Sequence, residues 1–234
     1  MRRILLIFPL LLLSVAVMAQ EHYDVSLIPK ELLPYASAVI RSEQVSYEVK
    51  SQDNTIYHVK RAITVLNKNG DDKIGLDVFY DRSNSIRYIK GNIYDGYGKL
   101  VQKISDRDFE DEAVSDGFSL YQDVRVKHFK KAAAEYPYTI EYEYEVRNKQ
   151  SLCFNDWVPN GDTNLAVENS SYSFVCKPDF KIRYKEINLP QQVETGTNAA
   201  GLKTYTWYIK NLKAVRKEAF SPPPRTVLSR VIIA

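Results

Sequence analysis

Cys153 carries the most reactive side chain in this chain, and a cysteine nucleophile needs a histidine beside it in space to take its proton. The three histidines, His22, His58 and His128, all precede it, and none stands at the spacing of a known nucleophile–base motif. Metal chemistry meets the same obstacle. The sequence holds no H-x-x-H, no C-x-x-C and no linear His–carboxylate cluster. The acidic run Asp106, Asp108, Glu110, Asp111, Glu112 and Asp116 is the one place where a cation site could hide, but its spacing matches no standard loop. A solvated excursion is expected there, and equally at Asp71 and Asp72. Glu141, Glu143 and Glu145 offer three more carboxylates, yet acid–base pairs must converge in a cleft and these recur at every second residue. The reading is therefore non-enzymatic, with no catalytic residue, no metal and no cofactor.

Two aromatic side chains could bind without reacting. Trp157 and Trp207 are expected as stacking platforms for a sugar if they lie on the surface. Cys153 and Cys176 leave two alternatives open. An oxidising compartment permits a disulfide, while the apolar neighbours of each suit a buried free thiol.

The elements that must position these residues are strands. In Pro137–Arg147, Tyr138, Ile140, Tyr142, Tyr144 and Val146 fall on one parity, with Thr139 and the three glutamates on the other. Successive strand side chains point to opposite faces, so this pattern predicts a half-buried antiparallel strand with a wet carboxylate face. Further strands are expected over Val45–Val49, Ile56–Leu66, Ile74–Tyr80, Ile86–Tyr94, Leu100–Ile104 and Val124–Phe129. Others follow over Leu152–Val158, Val167–Cys176, Lys181–Ile187 and Tyr205–Ile209. Gln52-Asp53-Asn54, Asn67-Lys68-Asn69-Gly70 and Asp95-Gly96-Tyr97-Gly98 read as turns. A short helix is expected near the start of the mature chain, with Ser26 as cap and Leu32 and Leu33 packed inward. The fold class is all-β, a large antiparallel β-sandwich over residues 20–234 as one domain. Pro222-Pro223-Pro224 suits a stiff strap leading to Val227–Ile233, an added edge strand or an exposed tail whose deletion would change solubility more than fold.

Arg2 and Arg3 precede an apolar run from Ile4 to Val17, and Val17-Met18-Ala19 has the small-residue pattern of a cleavage site. This predicts a signal peptide over residues 1–19 and an exported protein, in the periplasm or at the cell surface, with no membrane segment after cleavage. Removing it takes the formal net charge from +3 to +1, which argues against a nucleic-acid partner; Lys127, His128, Lys130 and Lys131 make the only basic patch. Seventeen tyrosines against nine glycines describe an ordered β protein rather than a disordered one.

Several stretches together carry a resemblance. They are Ile93–Leu100 (I-Y-D-G-Y-G-K-L), Val124–Phe129 (V-R-V-K-H-F), Tyr136–Tyr144 (Y-P-Y-T-I-E-Y-E-Y) and the late run Thr204–Pro223, with Trp207, Asn211, Ala214, Glu218 and Pro222. The order of these segments resembles the N-terminal domain of unknown function that precedes a transglutaminase-like core in exported Bacteroides-type proteins. The resemblance implies a β domain that normally adjoins a papain-like core with Cys, His and Asp in that order. No histidine follows either cysteine here, so no catalytic residue carries over, and the chain is expected to be a fragment or a stand-alone copy.

Two functions follow as expectations. The first is a non-catalytic accessory or interaction module whose partner is a transglutaminase-like or protease-like domain, or another exported protein. The second is an independent carbohydrate-binding sandwich, with exposed tyrosines and Trp157 or Trp207 stacking on a glycan.

Overall fold

The computed structural model describes residues 23–114, 123–129, 135–151, 153–216, 220 and 222–234. The expected signal peptide, His22, Asp116, Lys130, Lys131 and Glu218 lie outside these residues. Two single turns of 3₁₀ helix, Val25–Leu27 and Lys30–Leu32, stand where a short helix was predicted. Asp24, rather than Ser26, caps the first, its carboxylate accepting from the Ser26 amide at 2.8 Å. Leu32 is fully buried, whereas Leu33 faces solvent.

Among the described residues thirteen strands follow in chain order: β1 (Ala38–Ser51), β2 (Asn54–Val65), β3 (Leu76–Tyr80), β4 (Asn84–Tyr94), β5 (Leu100–Ile104), β6 (Glu110–Ala113) and β7 (Arg125–Phe129). Then come β8 (Tyr138–Asn148), β9 (Leu165–Cys176), β10 (Tyr184–Ile187), β11 (Glu194–Thr197), β12 (Lys203–Leu212) and β13 (Arg230–Ile233), the last preceded by the one-turn helix α1 (Pro224–Val227). Eight strands form one sheet in the order β11-β12-β9-β1-β2-β8-β4-β5, with β3-β7-β6 and β10-β13 as smaller sheets. The fold is all-β as expected, though β1 and β9 run parallel.

The tyrosine-rich strand is β8, and it lies between β2 and β4. Its parity is kept: Tyr138, Ile140, Tyr142 and Val146 are buried in the main core with Val59, Ile63 and Ile93 from its neighbours. The opposite face departs from the expectation of a wet one. Glu143 sits at 3.1 Å from His58 Nε2, accepts from the Tyr88 hydroxyl at 2.8 Å and pairs with Lys90 at 3.1 Å. Glu141 accepts from the Tyr94 hydroxyl at 3.1 Å and faces Lys60 at 3.7 Å. Cross-strand neighbours lie about 5 Å apart, so long polar side chains on β2 and β4 meet these glutamates and withdraw them from water. Burial resists ionisation of Glu143, but hydrogen bonds from His58, Tyr88 and Lys90 outweigh it and hold the carboxyl down at about 2.

A carboxylate also lies inside the core. Glu43 of β1 is 2% exposed. A bulge at Arg41 resets the alternation of β1, so that Glu43 faces inward opposite Arg61 of β2. Its Oε1 accepts from Arg61 Nε at 2.6 Å, and its Oε2 accepts from Ser170 Oγ at 2.6 Å. Ser170 in turn accepts from Trp157 Nε1 at 3.0 Å. A buried charge is tolerated only when paired and fully hydrogen-bonded; this chain meets that requirement and ties β1, β2 and β9 to the loop carrying Trp157.

Several local expectations change. Of the strand expected over Leu152–Val158, Leu152 lies outside the described residues and 153–158 form none, Trp157 making only an isolated bridge to Val231. The turn expected at Asn67–Gly70 is present and runs on into a 3₁₀ helix, Lys68–Lys73, which Asn67 caps through the Asn69 amide. The acidic excursion contains β6, and β11 was not foreseen. β13 is not a loose tail, because Val231 and Ile233 are buried in the main core and the strand pairs with β10. Of the two alternatives for this segment, an added edge strand or an exposed tail, the structure forms the strand.

Candidate functional site

The predicted aromatic platforms are closed. Trp157 and Trp207 are 2% and 1% exposed, stacked on either side of Tyr172 with ring centroids 6.0 and 5.6 Å away. The indole of Trp207 donates to Glu186 Oε1 at 2.7 Å. β9, β12 and the Trp157 loop bury both indoles in the main core, so neither offers a face to a sugar.

The disulfide alternative also fails. Both cysteines are free: Cys176 is buried at the end of β9, while Cys153 is exposed in the loop after β8. One thiol points into the core and the other into solvent. Among the described residues the two histidines meet glutamates and not a cysteine. His58 is held by Glu143 and His128 by Glu110, at 2.8 Å. Ser170 does contact a carboxylate, but at 2% exposure it is closed to a substrate.

An open site does form at the start of β8. Asp95 builds the β4–β5 turn, its carboxylate accepting from the amides of Tyr97 and Lys99 at 3.0 and 2.9 Å, with Gly98 at φ 78°. Only glycine adopts that backbone readily. The turn packs on Pro137: a Cβ at Gly96 would stand 3.2 Å from the Pro137 carbonyl oxygen. The N-terminal segment clamps the turn from the other side, the Val25 amide donating to the Gly96 carbonyl at 3.0 Å. Tyr97 is thereby held out at the tip, 81% exposed.

Facing it is Tyr136, joined to Pro137 by a cis peptide bond. Its hydroxyl donates to Asp71, which also accepts from Tyr138 at 3.2 Å, and the hydrogen bond to that carboxylate raises the Tyr136 phenol above its usual range. Between these walls runs a groove of about 640 Å³. Tyr94, Tyr97, Tyr136 and Tyr138 give it an aromatic lining, while Asp24, Asp95 and Glu135 make it acidic, with no lysine or arginine in the lining. Exposed Val101 of β5, the outermost strand of the large sheet, extends the groove along the sheet edge. The arrangement sets aromatic side chains and carboxylates along one open groove.

Sequence reasoning offered exposed tyrosines as a binding surface without locating them, and did not foresee the groove, although two of the stretches that carried the resemblance, Ile93–Leu100 and Tyr136–Tyr144, meet there. Asn211 of the late run adopts φ 52° at the end of β12, and Ala214 packs on a second apolar cluster formed by Ile28, Leu32, Val39 and Ala166. Among the described residues no helix is long and apolar enough to cross a membrane.

Comparison with known proteins follows the fold. A "putative protease" from Parabacteroides distasonis superposes with a TM-score of 0.68 at 13% identity, over 84% of this chain and 40% of that one. Looser overlaps are found with aminopeptidase A of Legionella pneumophila, solved with aspartic acid (TM-score 0.39, 10% identity, 91% of this chain and 23% of that one), and with an M1 zinc metallopeptidase of Deinococcus radiodurans (TM-score 0.38, 11% identity, 84% and 42%). This chain thus spans less than half the length of each. No curated protein matches it. The model of DUF3857, a domain of unknown function with a solved structure, matches residues 51–216, and the chain belongs to that family.

Proposed function

We propose that this chain is an exported, non-catalytic interaction module that docks a transglutaminase-like or protease-like domain through the groove at the start of β8. One observation carries the reading: Ile93–Leu100 and Tyr136–Tyr144, distant in sequence and both part of the resemblance, converge to line the same open aromatic groove. Support comes also from the histidines, each described one engaged by a glutamate rather than by a cysteine. Export rests on Arg2, Arg3 and the apolar run that follows them.

The groove's chemistry defines its occupant. Three carboxylates and four tyrosines suit a segment that presents arginine or lysine beside an apolar side chain, since a guanidinium stacks on aromatic faces and pairs with carboxylates. The test is titration calorimetry of the purified protein against a separately produced transglutaminase-like core from a protein that carries this type of module. Saturable binding that weakens at least tenfold in Tyr97→Ala, with the circular dichroism spectrum unchanged, is the expected result. Absence of binding by folded protein, or binding indifferent to Tyr97→Ala, would overturn the proposal.

A further inference from the structure

The small sheet β3-β7-β6 places metal-ligating groups side by side on its outer face. His128 is the register partner of Asp77 on β3 and of Glu110 on β6, so an imidazole stands between two carboxylates on three adjacent strands. Glu112, two residues beyond Glu110, shares that face. The ligand atoms of Glu110, Glu112 and His128 all lie within 4.8 Å of one another. The cations of β7 are spent on the opposite parity, where Arg125 pairs with Asp111 at 2.9 Å and Lys127 pairs with Asp106. The outer face therefore gathers three carboxylates around one imidazole with no lysine or arginine in register, an arrangement whose mutual repulsion a cation would relieve.

The geometry points to a divalent transition-metal site made by His128, Glu110 and Glu112. One imidazole nitrogen and two carboxylate oxygens form a mixed N/O set that suits Zn²⁺ or its first-row neighbours and leaves a position open. Ca²⁺ and Mg²⁺, which take oxygen ligands, would gain little from the imidazole. An ion there would pin β6 to β7. The sequence conceals the site because its ligands come from two strands, Glu110 and Glu112 at i, i+2 and His128 sixteen residues later. This proposal stands independently of the docking groove, which lies at the end of a different sheet.

The test is calorimetry with ZnCl₂ on the purified protein, repeated on His128→Asn, Glu112→Gln and His58→Asn. One saturable Zn²⁺ per chain is expected, weakened at least tenfold in His128→Asn and Glu112→Gln and retained in His58→Asn. CaCl₂ and MgCl₂ should bind at least tenfold more weakly than ZnCl₂. No saturable Zn²⁺ binding, binding unaffected by His128→Asn, or binding lost in His58→Asn instead would each overturn the assignment. Both altered side chains of the site lie on the sheet's outer surface, and matching circular dichroism spectra keep the comparison free of folding effects.

Discussion

Two aromatic regions of this molecule use the same residue types for opposite ends. Around β9 and β12, Trp157, Tyr172 and Trp207 stack in sequence and are sealed, each indole giving its N–H to an internal acceptor. At the start of β8, Tyr97 and Tyr136 stand in the open, held by a turn and by a carboxylate rather than by covering strands. The difference lies in what surrounds the ring. An aromatic side chain with a satisfied polar end and a strand over each face contributes to stability, whereas one propped on a rigid turn leaves its face for a partner.

The sealed region should show the largest response. Trp207→Ala removes a ring from the stack and one of the two hydrogen bonds to Glu186 Oε1, and a Trp truncation in a core costs about 3–5 kcal/mol. Urea denaturation should show the midpoint falling by that equivalent. A loss below about 1 kcal/mol would mean that the stack is looser than its burial indicates, and the contrast with the groove would collapse.

Next comes the ion pair beneath that stack. Glu43→Gln leaves the Arg61 guanidinium facing an amide, and breaking a fully enclosed pair costs about 3–5 kcal/mol. Arg61 opens on a small cleft beside Lys73 and Asp162, so water can reach it and about 2–3 kcal/mol is expected here. Restoring a neutral pair with Arg61→Met in the same chain should recover part of the loss; additive losses would show that the two groups are not coupled.

The polar face of β8 gives a smaller, pH-dependent signal. Glu143 is held at about 2 against an ordinary 4.5, so its folded value is the lower one. The sign follows from linkage: its contribution is complete above the unfolded value and drains away as pH falls through the folded one. Stability should therefore hold steady near neutrality and decline between about pH 5 and about pH 2, with Glu143→Gln flattening part of that slope. Identical acid profiles for the two proteins would mean that other carboxylates govern the decline.

Much of the fold was legible and little of the site was. The alternation in Tyr138–Val146 located β8 and its buried face correctly because a period of two leaves one choice of face. The same alternation mispriced Glu143, since a strand pattern says nothing of what the neighbouring strands present, and only register brings His58, Tyr88 and Lys90 to it. Trp157 and Trp207 illustrate the same blindness in reverse: their types suggested a platform, and the strands covering them were invisible. Glu43 was overlooked because its inward position depends on the bulge at Arg41. The groove and the Glu110–Glu112–His128 cluster both arise between segments far apart in sequence, which no local spacing reveals.

The smallest expected effect on stability sharpens the contrast most. Tyr97 is held at its turn by backbone groups, with Asp95 and Gly98 setting the conformation and the ring 81% exposed. Exposed substitutions away from such supports change stability by about 0.5 kcal/mol or less. Tyr97→Ala should thus unfold at the same urea midpoint as the parent while losing the binding for which the groove is built. Gly98→Ala supplies the complement: it keeps the ring but strains the φ of 78° that presents it. If presentation matters, that variant binds less well despite an intact Tyr97, whereas equal binding would assign the work to the ring alone and make the turn incidental.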